Sequence, residues 1–173
     1  MTATVWLTGL PSAGKTTLAT ALSKRLDRPF ELLDGDEVRE FLTKGLGFTR
    51  EDRDTNVLRI GWVAATLAKH GTLVLASVIS PYAETRDAVR KLHEDRGAQF
   101  LEIHVATPVE VCSERDVKGL YAKQAAGEIS HLTGVDDPYE APIAPDAVVK
   151  THEQTLDESV EQLLDLLRTR GLA

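Results

Sequence analysis

The chain has little cysteine, no long apolar run and no excess of positive charge, and each absence excludes a class of protein. A single cysteine, Cys112, allows no internal disulfide. Its place on an apolar helical face with Val109 reads as a buried structural thiol rather than a nucleophile. No apolar run approaches the ~20 residues of a membrane span. The start of the chain lacks the basic and apolar stretches of a secretory leader, so a cytoplasmic protein without a membrane partner is expected. A formal net charge of −7 argues against a nucleic-acid polymer as partner, although a local basic cluster can still bind small anions. The five histidines (His70, His93, His104, His131 and His152) show no metal-ligand spacing, and no structural zinc is expected. What remains is 173 residues at 42% hydrophobic and 27% charged content. That profile suits one globular domain, residues 1–173, with enough chain to bury a core.

The most informative stretch is Thr8-Gly9-Leu10-Pro11-Ser12-Ala13-Gly14-Lys15-Thr16-Thr17, which fits G-x-x-x-x-G-K-[ST]. It follows the β-prone run 3–7 and opens a helical pattern with apolar positions at Leu18, Ala19, Ala21 and Leu22. Strand, glycine loop and helix are the context that phosphate binding needs. Glycines at 9 and 14 let successive N–H groups of Ser12, Ala13 and Gly14 curl toward phosphate oxygens, with the helix dipole behind them. Lys15 supplies a mobile charge for the β- and γ-phosphates, and the Thr16 hydroxyl is a candidate Mg²⁺ ligand.

Strand-like runs recur at 30–33, 72–79, 99–105 and 146–149, separated by helical patterns. Such alternation predicts an α/β fold: a P-loop-type three-layer sandwich with a parallel sheet of about five strands and helices on both faces. The run 72–79 is almost wholly apolar, as a covered central strand requires. Asp54 or Thr55 is the expected cap of the helix running through Val57, Ile60 and Leu67. Thr107-Pro108-Val109-Glu110 predicts a helix start with Thr as N-cap and Pro at the first turn. Thr155 and Glu158 predict a capping box ahead of a closing helix.

Three constellations fall at strand ends, where open α/β sheets bind ligands. Asp34-Gly35-Asp36 could cap a helix, coordinate metal or contact an acceptor hydroxyl, with Arg39 one turn on. Leu46-Gly47-Phe48 is followed by Arg50, Arg53, Asn56 and Arg59, giving a flat stacking surface beside anion-binding side chains. Val78-Ile79-Ser80-Pro81-Tyr82 ends the third strand, and Ser80 either caps the next helix or faces the transferred phosphate. Residues 73–79 hold no acid, so this strand supplies no metal-binding Asp; that role moves to Asp36. Beyond them, the polar, turn-rich segment at about 115–140 opens with Arg115-Asp116-Val117-Lys118-Gly119-Leu120-Tyr121, and reads as a lid that excludes water from the phosphates.

Gly127-Glu128-Ile129 and Thr133-Gly134-Val135-Asp136-Asp137-Pro138-Tyr139-Glu140 complete a set of segments that, in order over nearly the whole chain, resembles the adenylylsulfate kinase family. The resemblance implies a kinase that phosphorylates the 3′-hydroxyl of adenosine 5′-phosphosulfate with ATP and Mg²⁺, in the service of sulfate assimilation. It implies an ATP site at Gly9, Ser12, Ala13, Gly14, Lys15, Thr16 and Thr17, with Arg115 near the adenine. It places the acceptor among Asp36, Arg39, Phe48, Arg53, Asn56, Ile79, Ser80, Lys118 and Leu132, and suggests a homodimer. Ser80 matches a position where the family carries a phosphoserine. Direct transfer is the expectation here, because in-line attack needs only positioning and charge neutralisation. Asp36 is then the group that orients the acceptor hydroxyl and takes its proton late, and with Thr16 it holds Mg²⁺, directly or through water. Two departures from the family pattern stand out. His131-Leu132 replaces a frequent Phe before Thr133-Gly134, and Ala83 replaces a frequent Arg; a weaker aromatic wall and altered acceptor affinity are expected.

The rival readings are a kinase of another nucleotide, a sugar or a shikimate-like acid, a GTPase-type switch, and a catalytically silent partner of a sulfate-activating complex. Phe48, Arg53 and Asn56 separate the first group, since a sugar or acid needs no stacking surface. A guanine-reading N-K-x-D is missing, the nearest stretch being Thr43-Lys44-Gly45-Leu46. Intact Lys15 and Asp36 speak against a silent partner.

Overall fold

β1 (Ala3–Thr8) is buried at every position, because it lies in the middle of the sheet and is covered on both faces. In the computed structural model, which describes residues 2–173, five strands pair in the order β2-β3-β1-β4-β5, and every pairing is parallel. The other strands are β2 (Phe30–Asp34), β3 (Leu73–Ser77), β4 (Gln99–Val105) and β5 (Ala147–Val149). β3 is also wholly buried, in keeping with its unbroken apolar sequence.

Helices cover both faces. α1 (Lys15–Ser23) and α7 (Leu156–Thr169) close one side, where Leu18, Leu22, Leu163 and Leu167 join Leu7, Leu75 and Ile103 in one cluster. α3 (Arg50–Lys69) and α4 (Ala83–Glu94) close the other, around Trp6, Val57, Ile60, Val89 and Phe100. Shorter helices α2 (Gly35–Glu40), α5 (Val109–Arg115) and α6 (Leu120–Ala125) sit near the carboxyl ends of the strands. The expected three-layer α/β architecture is what the chain adopts. No helix among the described residues is long and apolar enough to cross a membrane.

Three helix starts test the reading of local sequence. Thr155 and Glu158 form the expected capping box. α3 begins one turn earlier than expected: its N-cap is Thr49, whose hydroxyl accepts from the Asp52 N–H. Asp54 and Thr55 lie inside the helix, where Asp54 accepts a hydrogen bond from the Thr85 hydroxyl. The expected Thr107 cap is also replaced, since Pro108 is the N-cap of α5 with no side-chain bond. The Thr107 hydroxyl donates instead to the Ala13 carbonyl at 2.8 Å, a tertiary use that local sequence cannot disclose.

α3 and α4 meet closely at Gly61, where a Cβ would stand 2.5 Å and 2.8 Å from the two Val89 methyls. Alanine at this site gains about 1 kcal/mol of helix propensity, but overpacking of a core typically costs about 1–3 kcal/mol. Val89 is branched and sits within a helix, so overpacking wins. Gly61→Ala is expected to lower stability to urea by about 1 kcal/mol; a gain in stability would contradict the close contact.

Candidate active site

The glycine loop between β1 and α1 is shaped by close approach. A Cβ on Gly9 would stand 2.6 Å from the Val105 carbonyl oxygen, so only glycine fits there. Ser12 (φ 62) and Gly14 (φ 103) both occupy the left-handed region, which turns neighbouring N–H groups to one side as an anion-binding nest. Ala13 is fully buried, and its carbonyl accepts from Thr107 at 2.8 Å, Thr151 at 2.9 Å and Arg115 at 3.3 Å. It fastens the loop from behind. Gly9 and Ala13 therefore shape the loop, whereas Ser12, Gly14, Lys15, Thr16, Thr17 and Arg115 line a cavity of about 880 Å³.

Lys15 begins α1 with its ammonium held by the carbonyls of Gly9 at 2.9 Å and Leu10 at 2.8 Å. Burial, and secondarily the nearby Lys118 cation, bring its pKa down to about 8. A buried cation whose partners are only dipoles is disposed to accept an anion.

At the end of β2 the two acids separate. Asp34 lies in register with Ser77 of β3. One of its oxygens accepts from the Thr16 hydroxyl at 2.6 Å, and the other caps α2 through the Asp36 N–H at 3.0 Å. The Ser77 hydroxyl is 3.2 Å from that of Thr16. Asp36, the acid expected beside Thr16, forms an exposed ion pair with Lys118 instead. The reason is positional. Asp34 ends the strand, while Asp36 is in the first turn of α2 and reaches toward the segment at 115–140. Thr16, Asp34 and Ser77 are hard oxygen donors of the kind Mg²⁺ takes, usually with water and substrate phosphates completing its shell.

The opposite part of the same cavity is aromatic and cationic. Arg39 and Arg53 lie over the Phe48 ring at 4.5 Å and 5.5 Å. Arg39 donates to the carbonyls of Leu46 and Gly47, and Arg53 to those of Phe48 and His131. Burial lowers the pKa of both guanidiniums, with their mutual repulsion adding to it for Arg39. Phe48 remains 54% exposed, so part of its side chain is open to a ligand. Asn56 Oδ1 and Thr133 Oγ1 are buried without a hydrogen-bond partner among the described residues. Unpaired buried oxygens are costly, so both can accept a hydrogen bond from a ligand or a water molecule.

Ser80 is 1% exposed and in the left-handed region at φ 43. Its hydroxyl accepts from the Trp6 indole at 2.9 Å and donates to the Val78 carbonyl at 3.2 Å. It does not cap α4, whose N-cap is Tyr82. Across the cavity, the Val117 N–H donates to the Ser12 hydroxyl at 3.1 Å and Tyr121 donates to the Pro11 carbonyl at 2.9 Å. Leu132 is buried in the core that backs the cavity wall, so an aliphatic side chain takes the place of the frequent Phe. Ile79, Ser80, Lys118 and Leu132 all line the cavity.

Lys15, Arg39, Arg53, Arg115 and Lys118 line it against only Asp34 and Asp36, giving a positive site in a chain of net charge −7. Sequence reading missed Ser77, Thr133, Thr151 and Gln154, which also line it. Thr133 stood within a recognisable segment, and its unpaired hydroxyl is the signal that singles it out. The other three carry no local signal at all.

The adenylylsulphate kinase family model matches residues 1–150. An adenylyl-sulfate kinase of Myxococcus xanthus is 56% identical over 170 residues, covering 97% of this chain and 92% of that protein. A probable adenylyl-sulfate kinase of Synechocystis sp. is 53% identical, with 97% of each chain covered. Among solved structures, the Mycobacterium tuberculosis APS kinase CysC in complex with AMPPNP and APS superimposes with a TM-score of 0.93 at 43% identity, covering 96% of this chain and 98% of that one. A shikimate kinase from Acinetobacter baumannii, at 19% identity and a TM-score of 0.56, shares the fold alone.

Because Thr133 Oγ1 has no partner, Thr133→Val removes a buried unsatisfied group at nearly constant volume. Its melting temperature should hold or rise, while the KM for the phosphoryl acceptor increases by about fivefold to tenfold, the worth of one hydrogen bond. A fall in stability with an unchanged KM would contradict a ligand-facing role.

Proposed function

The chain belongs to the adenylylsulfate kinase family, and on that premise we propose that it carries the γ-phosphoryl group of ATP to the 3′-hydroxyl of adenosine 5′-phosphosulfate by one direct in-line step. The products are ADP and 3′-phosphoadenylylsulfate. The observation that carries the reading is the shared cavity: the phosphate loop lines one part of it, and the Arg39–Phe48–Arg53 stack, with the unpaired oxygens of Asn56 and Thr133, lines another.

In this mechanism the nest at Ser12 to Gly14 and Lys15 hold the ATP phosphates. Arg115, tied to the loop through Ala13 and Thr151, borders the adenine. Phe48 stacks on the acceptor adenine, and Arg39 and Arg53 meet the phosphosulfate, for which a planar fork of donors is suited. Asn56, Ile79, Ser80 and Leu132 complete the acceptor wall. Lys118 leaves Asp36 for substrate, and the segment at 115–140 acts as a lid that excludes water. Asp36 orients the 3′-hydroxyl and accepts its proton as the oxygen bonds to the γ-phosphorus and the bond to the bridging β–γ oxygen breaks. A loose transition state asks little of this base until bond formation is advanced.

Thr16, Asp34 and Ser77 fit a Mg²⁺ ion, with Asp36 as an outer participant. When bound, that ion neutralises charge developing on the β- and γ-phosphates. A cytoplasmic enzyme, where ATP is supplied, belongs to the same reading. So does a homodimer, which the family resemblance implies.

Ser80 has a supporting part. Its hydroxyl is enclosed and doubly bonded, which favours loop geometry over nucleophilic attack. A coupled assay for ADP with adenylylsulfate as acceptor tests the reading. Asp36→Asn should lower kcat by about 10²-fold, the low end for a general base. Ser80→Ala should keep kcat within tenfold while losing about 1–3 kcal/mol of stability, because the Trp6 N–H is left unpaired. A folded, ligand-binding but inactive Ser80→Ala enzyme would require a covalent phosphoserine step. ADP release with another acceptor and none with adenylylsulfate would overturn the substrate.

A further inference from the structure

Arg86, in the first half of α4, is 2% exposed and lies outside the groups assigned to either substrate. A buried guanidinium persists only when its donors are satisfied, and all three nitrogens of Arg86 are. Nε donates to Glu102 at 2.7 Å, Nη1 to the Ser80 carbonyl at 2.7 Å and Nη2 to the Glu140 carbonyl at 2.6 Å. These partners come from three separate parts of the molecule: β4, the loop after β3, and the far end of the segment at 115–140.

The Glu102 carboxylate is shared with a second cation, Arg90 at 3.1 Å, so it fixes Arg86 to β4, while the two carbonyl contacts tie the same side chain to the loop after β3 and to Glu140. Other bonds converge on the same junction. The Glu140 N–H donates to the Pro81 carbonyl at 2.8 Å, and its carboxylate accepts from the Ala83 N–H at 3.0 Å. Tyr139 lies beside the guanidinium and shares a 2.9 Å hydrogen bond with the Thr8 hydroxyl. Thr8 in turn donates to the Ile79 carbonyl at 2.6 Å. Within this set, Ser80 is held in a left-handed conformation that a non-glycine residue rarely adopts.

We propose that Arg86 is a positioning residue: its fork locks the Ile79–Ser80 wall of the acceptor site to the anchored end of the lid. Closure of the lid and placement of the acceptor are thereby coupled through one buried side chain. The proposal rests on the reading that Ile79 and Ser80 bound the adenylylsulfate site. ATP, held by the loop at 9–17, lies outside the coupling.

Two variants test it. Arg86→Met combined with Glu102→Gln removes the fork without leaving an unpaired buried carboxylate, and Arg86→Lys keeps the charge but can reach only one carbonyl at a time. In the double variant the KM for adenylylsulfate should rise at least tenfold and that for ATP less than twofold. Amide exchange should accelerate at least tenfold at Ile79, Ser80 and Glu140, and stay within twofold at 12–17. Arg86→Lys should fall between wild type and the double variant, and it carries the test if the latter fails to fold. An unchanged adenylylsulfate KM with unchanged exchange overturns the proposal. So does a parallel rise in both KM values with exchange accelerated throughout, which would show a structural role only. If the wild-type enzyme does not phosphorylate adenylylsulfate, the substrate reading falls, and the exchange pattern alone still decides whether Arg86 couples the two segments.

Discussion

The active site depends on the parallel pairing of β1 with β3. Leu7 lies in register with Ser77, and the Val78 N–H continues the ladder to the Leu7 carbonyl at 3.1 Å. Because both strands end at the same edge, the glycine loop after β1 and the proposed acceptor wall after β3 emerge side by side, as parallel α/β sheets require of their ligand sites. β2 pairs on the outer side of β3 and brings Asp34 level with Ser77, next to Thr16. Three stretches far apart in sequence thus bring backbone N–H donors, hard oxygen atoms and the Ile79–Ser80 wall to one rim. The apolar sequences of β1 and β3, with helices on either face, hold that rim in place.

The charge distribution follows a similar division of labour. A chain that is acidic overall lines one cavity with five cations, and burial of Lys15, Arg39 and Arg53 reduces their hydration and strengthens their attraction for anions. Lys15 is the clearest case, with a pKa near 8 produced by burial first and Lys118 second. Arg39 and Arg53 lie over Phe48, giving a platform suited to a flat base and an oxyanion. Asn56 and Thr133 are left unpaired in the same wall, a local cost consistent with a site organised for its ligand rather than for stability alone.

Much of this was legible in the sequence, for physical reasons. Gly9, Gly14 and Lys15 belong to a contiguous motif whose backbone demands are local. The β3 run announced its burial by composition, and Thr155 with Glu158 disclosed a cap through spacing alone. Most of the misses are tertiary. Thr107 looked like an N-cap, but its hydroxyl serves the Ala13 carbonyl. Asp54 and Thr55 were eligible caps, yet Thr49 already terminates the helix a turn earlier. Asp34 and Asp36 are indistinguishable as letters, and only strand register decides which of them stands beside Thr16. Arg86 carries no signal of its own in the sequence, and only the fold shows it enclosed.

The proposed transfer is a single in-line step in one cavity, with Ser80 as part of the wall, and the stereochemistry at phosphorus decides it. ATP made chiral at the γ-position by oxygen isotopes is turned over with adenylylsulfate, and the configuration of the 3′-phosphoryl group is determined. A single in-line displacement predicts inversion. Retention would signify two successive displacements through a phosphoenzyme and would rule out direct transfer.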